Sequence, residues 1–373
     1  MKIISQILAL WITVLGYGVL RSAPAEGTAT IPLSFLPPGM AVSFCDEPMP
    51  LDIEDVRERL EKEFLLITED RAQVTLWLKR SRRYLTQIEA MLRENHMPLD
   101  LQYVAVIESS LLPHAGSSKG AMGFWQFLGP VGRQYGLVIN SHIDERRNLT
   151  ASTAAAIRYL TMLQDLLGSW TLSVAAYNMG ETRLLANIAE QGTYDYYQLN
   201  LPLETQRFIF RIVCVKMILS NPAAFGFELK DEEYYPPFEC DNVKLRSQHP
   251  IPVRVVATAA NTYFKVITDL NPEIIGGLLP PGDYQFLIPK AAAADFHPQF
   301  DQLLTKTLAA RKERSYIVQA GDTLIEIADR FGVPMPSLMI WNRFDRRHAI
   351  QPGDKLTIFE PGPDSECNES PWN

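Results

Sequence analysis

One carboxylate stands out by its setting. The stretch Leu101-Gln-Tyr-Val-Ala-Val-Ile-Glu-Ser-Ser110 reads as a helix that is apolar almost all round and closes on Glu108. Leu101, Val104 and Ile107 recur at helical spacing, with Ala105 and Val106 widening the stripe, and such a helix is normally buried. A carboxyl at the C-terminal end of a buried helix is penalised for its charge by burial and by the negative end of the helix dipole. Both effects favour the protonated form, as a general acid working near neutral pH requires. The plainer alternative is a glutamate in an exposed last turn, or one paired with an arginine. Two further places carry polar groups beside apolar runs: Gln126 in a glycine-punctuated loop, and Tyr177-Asn178 at the end of a second apolar helix.

The elements around these residues follow from punctuation. Pro98 and Asp100 mark the start of the first helix, and Pro113 with Gly116-Ser-Ser-Lys-Gly120 stops it. Gly120-Ala-Met-Gly-Phe-Trp-Gln-Phe127 is an aromatic loop, and Asp144-Glu-Arg-Arg147 reads as an ion-pair network. A helix from Ser152 to Leu167, a break at Gly168-Ser-Trp170, a helix to Gly180 and a long helix from Glu204 complete an almost wholly helical region.

These motifs carry a resemblance. Glu108-Ser109, Gly123-Phe-Trp-Gln126 and Ala176-Tyr-Asn178 match, in order and spacing, the motif set of lytic transglycosylases with a goose-lysozyme-like fold. Lys119-Gly-Ala-Met-Gly-Phe-Trp-Gln126 and Asp144 to Arg147 resemble the membrane-bound transglycosylase D subgroup. The resemblance implies that Glu108 is the catalytic acid and base, cleaving the bond between N-acetylmuramic acid and N-acetylglucosamine with formation of a 1,6-anhydro sugar. It implies substrate contacts for Ser109, Gly123, Trp125, Gln126, Tyr177 and Asn178, and no cofactor. Each has a structural alternative: a hydroxyl at a helix end for Ser109, loop surface for Gln126, core for Trp125, helix capping for Tyr177 and Asn178. Two departures stand. Phe208 replaces the tyrosine usual in the family's E-T-x-x-Y, and Met179-Gly-Glu-Thr182 replaces A-G-E-G.

The C-terminal part has another grain. The strand-like Tyr316-Ile-Val-Gln319, two short helical patterns and the strand Lys355 to Phe359 resemble a LysM domain, a βααβ binder of N-acetylglucosamine polymers. That resemblance places Gly321, Asp322, Thr323 and Leu324, with Ile350, Gln351, Pro352 and Gly353, at the glycan groove. An upstream stretch looks like a degenerate copy, Leu270-Asn-Pro272 aligning with Trp341-Asn342 and Leu287-Ile-Pro289 with Thr357-Ile-Phe359.

Bulk properties set the frame. The chain has 373 residues, is 47% hydrophobic and carries a formal net charge of −8 without a basic run, which argues against a nucleic-acid partner. Its six histidines show no metal-ligand spacing. Lys2, the apolar run Ile3 to Leu20 and Ser22-Ala-Pro-Ala25 read as a secretory signal cut after Ala25, with an uncleaved anchor as the alternative. This implies a protein exported to the periplasm or cell envelope, bound to peptidoglycan strands, with no stable membrane span after cleavage. Of four cysteines, Cys214 reads as a buried thiol, and Cys45 with Cys240 is the pair to test for a disulfide. The expected fold class is mainly α, a lysozyme-like α+β catalytic domain followed by small α/β units. The expected divisions are a signal peptide (1–25), an N-terminal arm and helical region (26–97), a transglycosylase domain (98–226) and a linker (227–250). A degenerate LysM-like unit (251–290), a spacer (291–314), a LysM domain (315–359) and a disordered tail (360–373) follow. Lys79-Arg80-Ser-Arg82-Arg83 reads as a solvated helix face. An inactive wall-binding scaffold and a lysozyme-type hydrolase are the competing functions.

Overall fold

The computed structural model describes residues 41–310, 313–333, 335–342, 344 and 349–359. The expected signal segment and tail lie outside the described residues. A hairpin of β1 (Ser43–Phe44) and β2 (Glu47–Pro48) leads into two long helices, α1 (Glu54–Glu69) and α2 (Arg71–Glu94). Leu60 and Phe64 of the first and Val74, Ile88 and Leu92 of the second bury one stripe each. Asp70 separates them and caps α2 by accepting from the Gln73 N–H at 3.0 Å. The hairpin is no free arm: Val42, Phe44 and Met49 are buried in the same core as the helices.

Six helices complete this domain: α3 (Gln102–Ser109), α4 (Gly129–Gln134), α5 (Leu149–Leu167), α6 (Trp170–Met179), α7 (Glu181–Gln191) and α8 (Leu203–Ser220). One core runs from Val42 to Phe227, so the boundary expected near residue 97 does not divide it. No described helix is long and apolar enough to cross a membrane. Glu47 ties the hairpin to the helices. Its carboxylate accepts from the Trp170 N–H, from the Thr171 N–H at 3.0 Å and from the Ser169 and Thr171 hydroxyls at 3.0 and 2.9 Å. An anion at a helix N-terminus satisfies donors that lack helical partners and lies at the positive end of the dipole.

Two small units follow. In the first, β3 (Cys240–Ser247) pairs antiparallel with β6 (Gly282–Pro289). Between them lie β4 (Ile251–Pro252), α9 (Val253–Ala259), α10 (Phe264–Leu270) and β5 (Leu278–Leu279), and α11 (Phe296–Ala310) follows. In the second, β7 (Glu313–Ile317) pairs with β8 (Lys355–Phe359) around α12 (Leu324–Arg330) and α13 (Met335–Asn342). One lock recurs in both. Asn271 Nδ2 donates to the Ile267 and Leu287 carbonyls at 2.7 and 2.8 Å, and its Oδ1 accepts from the Leu287 N–H at 2.7 Å. Asn342 does the same with the Leu338 and Thr357 carbonyls, both at 2.9 Å, and the Thr357 N–H at 2.7 Å. The two units therefore share an architecture at the aligned positions.

Four expectations are corrected. The linker ends early, because alternating Val243 and Leu245 make Cys240–Ser247 a strand with one buried face. The spacer is not one, because Phe296, Phe300 and Leu304 of α11 bury into the first unit's core. Cys45, Cys214 and Cys240 are free thiols, Cys45 and Cys214 lying inside the helical domain's core. Nor is the basic face of α2 simply solvated. Arg82 bonds Asp231 at 2.8 Å and stacks on Tyr234, while Arg83 lies 5.3 Å from the Tyr235 ring centroid and 4.4 Å from that of Phe238. The 231–238 run is thereby strapped to the helical domain.

Replacing Glu47 by alanine leaves four donors at the start of α6 without their acceptor. Thermal unfolding should report a loss of about 2 kcal/mol relative to wild type. An unchanged melting temperature would show that water substitutes fully for the carboxylate.

Candidate active site

Glu108 ends α3, a helix whose Val104, Ala105 and Val106 are fully buried. The chain then turns sharply: Ser110 and Leu111 both adopt the left-handed conformation, at φ 54° and 59°. Such backbone costs roughly 1 kcal/mol or more per non-glycine residue and needs outside support. The support comes from α2. Gln73 Nε2 and Trp77 Nε1 each donate to Ser110 Oγ at 3.1 Å, and Arg80 donates to the Ser110 carbonyl at 3.0 Å. The turn stops the helix one residue past Glu108, which is left half-buried.

Burial pushes the Glu108 carboxyl up to about 8; the Arg211 guanidinium opposes the rise and the Glu204 carboxylate adds to it. Among the described residues no hydrogen bond contributes to that shift. Glu204 and Arg211 share one face of α8 and pair at 2.9 Å, so they reach Glu108 as a near-neutral couple. At neutral pH the carboxyl is mostly protonated.

The other candidates divide into half-buried ones and buried ones. Tyr177 and Asn178 close α6. Tyr177 donates its hydroxyl to the Trp125 carbonyl at 2.6 Å and packs edge-on against Phe127. Burial first, and then Glu108, hold that phenol protonated. Asn178 Oδ1 accepts from the Thr205 hydroxyl at 2.8 Å. Gln126, at φ 50°, spends its amide N–H groups on the Ala115 and Gly123 carbonyls, both at 2.9 Å. Its Oε1 receives no bond among the described residues and remains available as an acceptor.

Three assignments change. Trp125 is wholly buried, its indole N–H bonded to Thr153 Oγ1 at 2.9 Å, so its ring is part of the core and not a sugar platform. Ser109 is buried and donates to the Ala105 carbonyl at 3.0 Å, a bond within its own helix. Gly123 serves close packing: at φ +82° a Cβ would stand 1.8 Å from the Arg146 carbonyl oxygen. Phe208, at the place of the family's tyrosine, is buried in the core.

Two contributors escaped the sequence reading. Thr205 fixes Asn178, and Arg211 faces Glu108. The motif Glu204-Thr205 was the available signal for the first. For the second, only helical spacing from Glu204 pointed to a shared face.

In the C-terminal unit the expected glycan residues shape two adjoining loops. Gly321 and Gly353 sit at φ +94° and +98°. Asp322 accepts from the Tyr316 hydroxyl at 2.5 Å and the Gln319 N–H at 2.8 Å, while Thr323 caps α12. Leu324 and Ile350 pack against the small core. The Gln351 N–H bonds Asp354 at 2.8 Å, Pro352 is exposed, and the Gly353 N–H and Val318 carbonyl join the loops at 2.9 Å.

The transglycosylase SLT domain family matches residues 86–200, and the LysM domain family matches residues 316–359. Two Escherichia coli proteins, from strain K12 and strain O6:H1 CFT073, are both named membrane-bound lytic murein transglycosylase D. Each is 30% identical to this chain over 345 residues, 87% of this chain and 74% of the relative. The chain belongs to this transglycosylase family. It is a lytic transglycosylase whose SLT match spans Glu108, Gln126, Tyr177 and Asn178.

A raised carboxyl in the folded transglycosylase has a signed consequence. Below the ordinary value of 4.5 both folded and unfolded states hold the proton, and nothing is lost. Between 4.5 and about 8 only the unfolded state ionises, so this group's contribution to stability falls as pH rises. Glu108→Gln removes the ionisation. Its stability advantage over wild type should grow from pH 4.5 to 8 in parallel denaturant titrations and level off above. A difference flat across that window would place the carboxyl in water.

Proposed function

We propose that the enzyme cleaves the β-1,4 bond between N-acetylmuramic acid and N-acetylglucosamine of peptidoglycan and leaves a 1,6-anhydro end. What supports this reading is the Glu108 carboxyl, which burial pushes up to about 8 while the neighbouring Glu204 is paired with Arg211. Glu108 donates its proton to the bridging oxygen as the bond to C1 breaks. The acetamido group of the sugar stabilises the developing cation. Glu108, now ionised, takes the proton of the C6 hydroxyl as that oxygen attacks C1, and so regains its starting state. No water enters the products. A hydrolase would place a second carboxylate to activate water or trap the sugar. The nearest motif carboxylates are engaged elsewhere: Glu204 pairs with Arg211, and Glu181 accepts from the Tyr159 hydroxyl at 2.9 Å. An internal hydroxyl held at C1 then has the advantage of proximity.

The remaining roles follow the same placement. Gln126 Oε1 and the polar ends of Tyr177 and Asn178 contact substrate hydroxyl or acetamido groups. The LysM domain tethers the enzyme to the wall, consistent with work in the cell envelope after export by the N-terminal segment.

Glu108→Gln preserves shape and abolishes proton cycling, so turnover on purified sacculi should fall at least about 10²–10⁴-fold with the fold intact. Mass spectrometry of wild-type digests should show ends lighter by one water than hydrolytic ones. Reducing ends that carry oxygen from isotope-labelled water would make the enzyme a hydrolase instead.

Removing the chain after Lys312 leaves the catalytic core and the first small unit, whose apolar clusters are separate from that of the LysM unit. Activity on soluble fragments should persist, while pelleting with sacculi weakens through loss of the tether. Equal pelleting of full-length and shortened proteins would end the targeting role.

A further inference from the structure

The first small unit shares the architecture of the LysM unit but meets different neighbours. Where the LysM unit has its two groove loops, this unit has the stretches before α9 and before β6. Those stretches are paired to each other: Ile251 with Leu279 and Pro252 with Leu278 in antiparallel register, continued by the Val253 N–H donating to the Gly277 carbonyl at 2.9 Å. The edge next to this pairing is docked on the helical domain. Ile143 and Ile274 form an antiparallel bridge. The Asp144 N–H donates to the Glu273 carbonyl at 2.8 Å and the Ile275 N–H to the His142 carbonyl at 2.7 Å. His142 Nδ1 lies 3.1 Å from the Leu278 carbonyl oxygen.

The segment gripped in this way is not a passive one. Asp144 is 3% exposed, and its carboxylate holds Arg146 through two bonds, at 2.8 and 2.7 Å. Arg146 extends to the Gly120 and Phe127 carbonyls at 2.9 and 3.1 Å, the two ends of the loop that carries Gln126. Within that loop Gly123 lies directly against the Arg146 backbone. A continuous run of bonds therefore links Glu273–Ile275 to the loop that carries Gln126.

We infer that the 240–289 unit is a positioning element for the Gly120–Phe127 loop and does not serve as a second glycan reader. The inference rests on the proposed role of Gln126 at the substrate. Its grip on residues 142–144 combines these backbone bonds, one of which needs the peptide N–H of Ile275, with Ile143 packing against the core in which Ile274 is buried.

The test uses the full-length chain. Ile275→Pro removes the N–H that donates to His142, and Ile275→Ala keeps it. With soluble glycan fragments, Ile275→Pro should lower kcat roughly ten- to a hundredfold, the scale of effect expected when a substrate-positioning group shifts by about 1 Å. KM and pelleting with sacculi should stay near wild type, and Ile275→Ala should retain wild-type turnover. Amide hydrogen exchange should quicken in Gly116–Phe127 while the protection of α5 and α8 is unchanged. If Ile275→Pro does not fold, Ile274→Lys breaks the same joint and is read identically. Wild-type kcat and exchange in a proline or lysine variant would overturn the inference, as would pelleting lost with kcat intact, the mark of a glycan reader. Exchange compares variant with wild type and needs no substrate. Failure of the proposed reaction would appear in the wild-type digests, and failure of the brace only in the variants.

Discussion

Keeping one half-buried carboxyl uncharged is the constraint around which the catalytic domain is built. Helix α3 is apolar on nearly every side, so it brings Glu108 to the cleft without offering it a donor. The charges that do reach it come as a pair, Glu204 with Arg211, whose effects on Glu108 oppose each other. A lone arginine there would pull the carboxyl back toward its ordinary acidity and remove the proton that the proposed reaction needs. The helix must also stop at once, because a further turn would carry Glu108 into its middle. That requirement explains the left-handed pair Ser110–Leu111 and the three donors that α2 aims at Ser110.

The same helix α2 works on two fronts. Residues near its start brace the turn beside the acid, and Arg82 and Arg83 farther along hold the 231–238 run. Opposite them, Glu47 anchors the hairpin at the start of α6, the helix that ends in Tyr177-Asn178. The site is thus held by elements on both sides of the motif-bearing segment, and a fragment restricted to residues 98–226 would lack them.

How much of this could be read in the sequence depended on the range of the interaction. Apolar spacing in 101–107 and 152–167 reports a local period, and those helices are where it places them. Glu108 could be singled out because the helix it closes is short and largely apolar and because the neighbouring motifs resemble those of the family. The Trp125 ring could not be placed the same way, since its partner, Thr153, sits on another helix and nothing in the loop announces it. The basic cluster 79–83 looked solvated for a similar reason. Its aromatic partners lie some 150 positions along the chain, and local charge patterning is blind to them. Alternation of Val243 and Leu245 was a readable strand signal, masked by the proline-rich stretch before it. The disulfide expectation weighed loop-like sequence and could not see that Phe44 carries Cys45 into the core.

The paired asparagines give the molecule an internal comparison. Two copies of one βααβ form in a single polypeptide separate what the form itself demands from what a ligand demands. Asn271 and Asn342 keep the same three bonds, so that residue belongs to the form. The Gly321-Asp-Thr-Leu324 turn has no counterpart in the earlier copy, whose Ile274 instead bridges to Ile143 of the helical domain. A form that keeps itself closed through one asparagine leaves the rest of its surface free to be used differently in each copy.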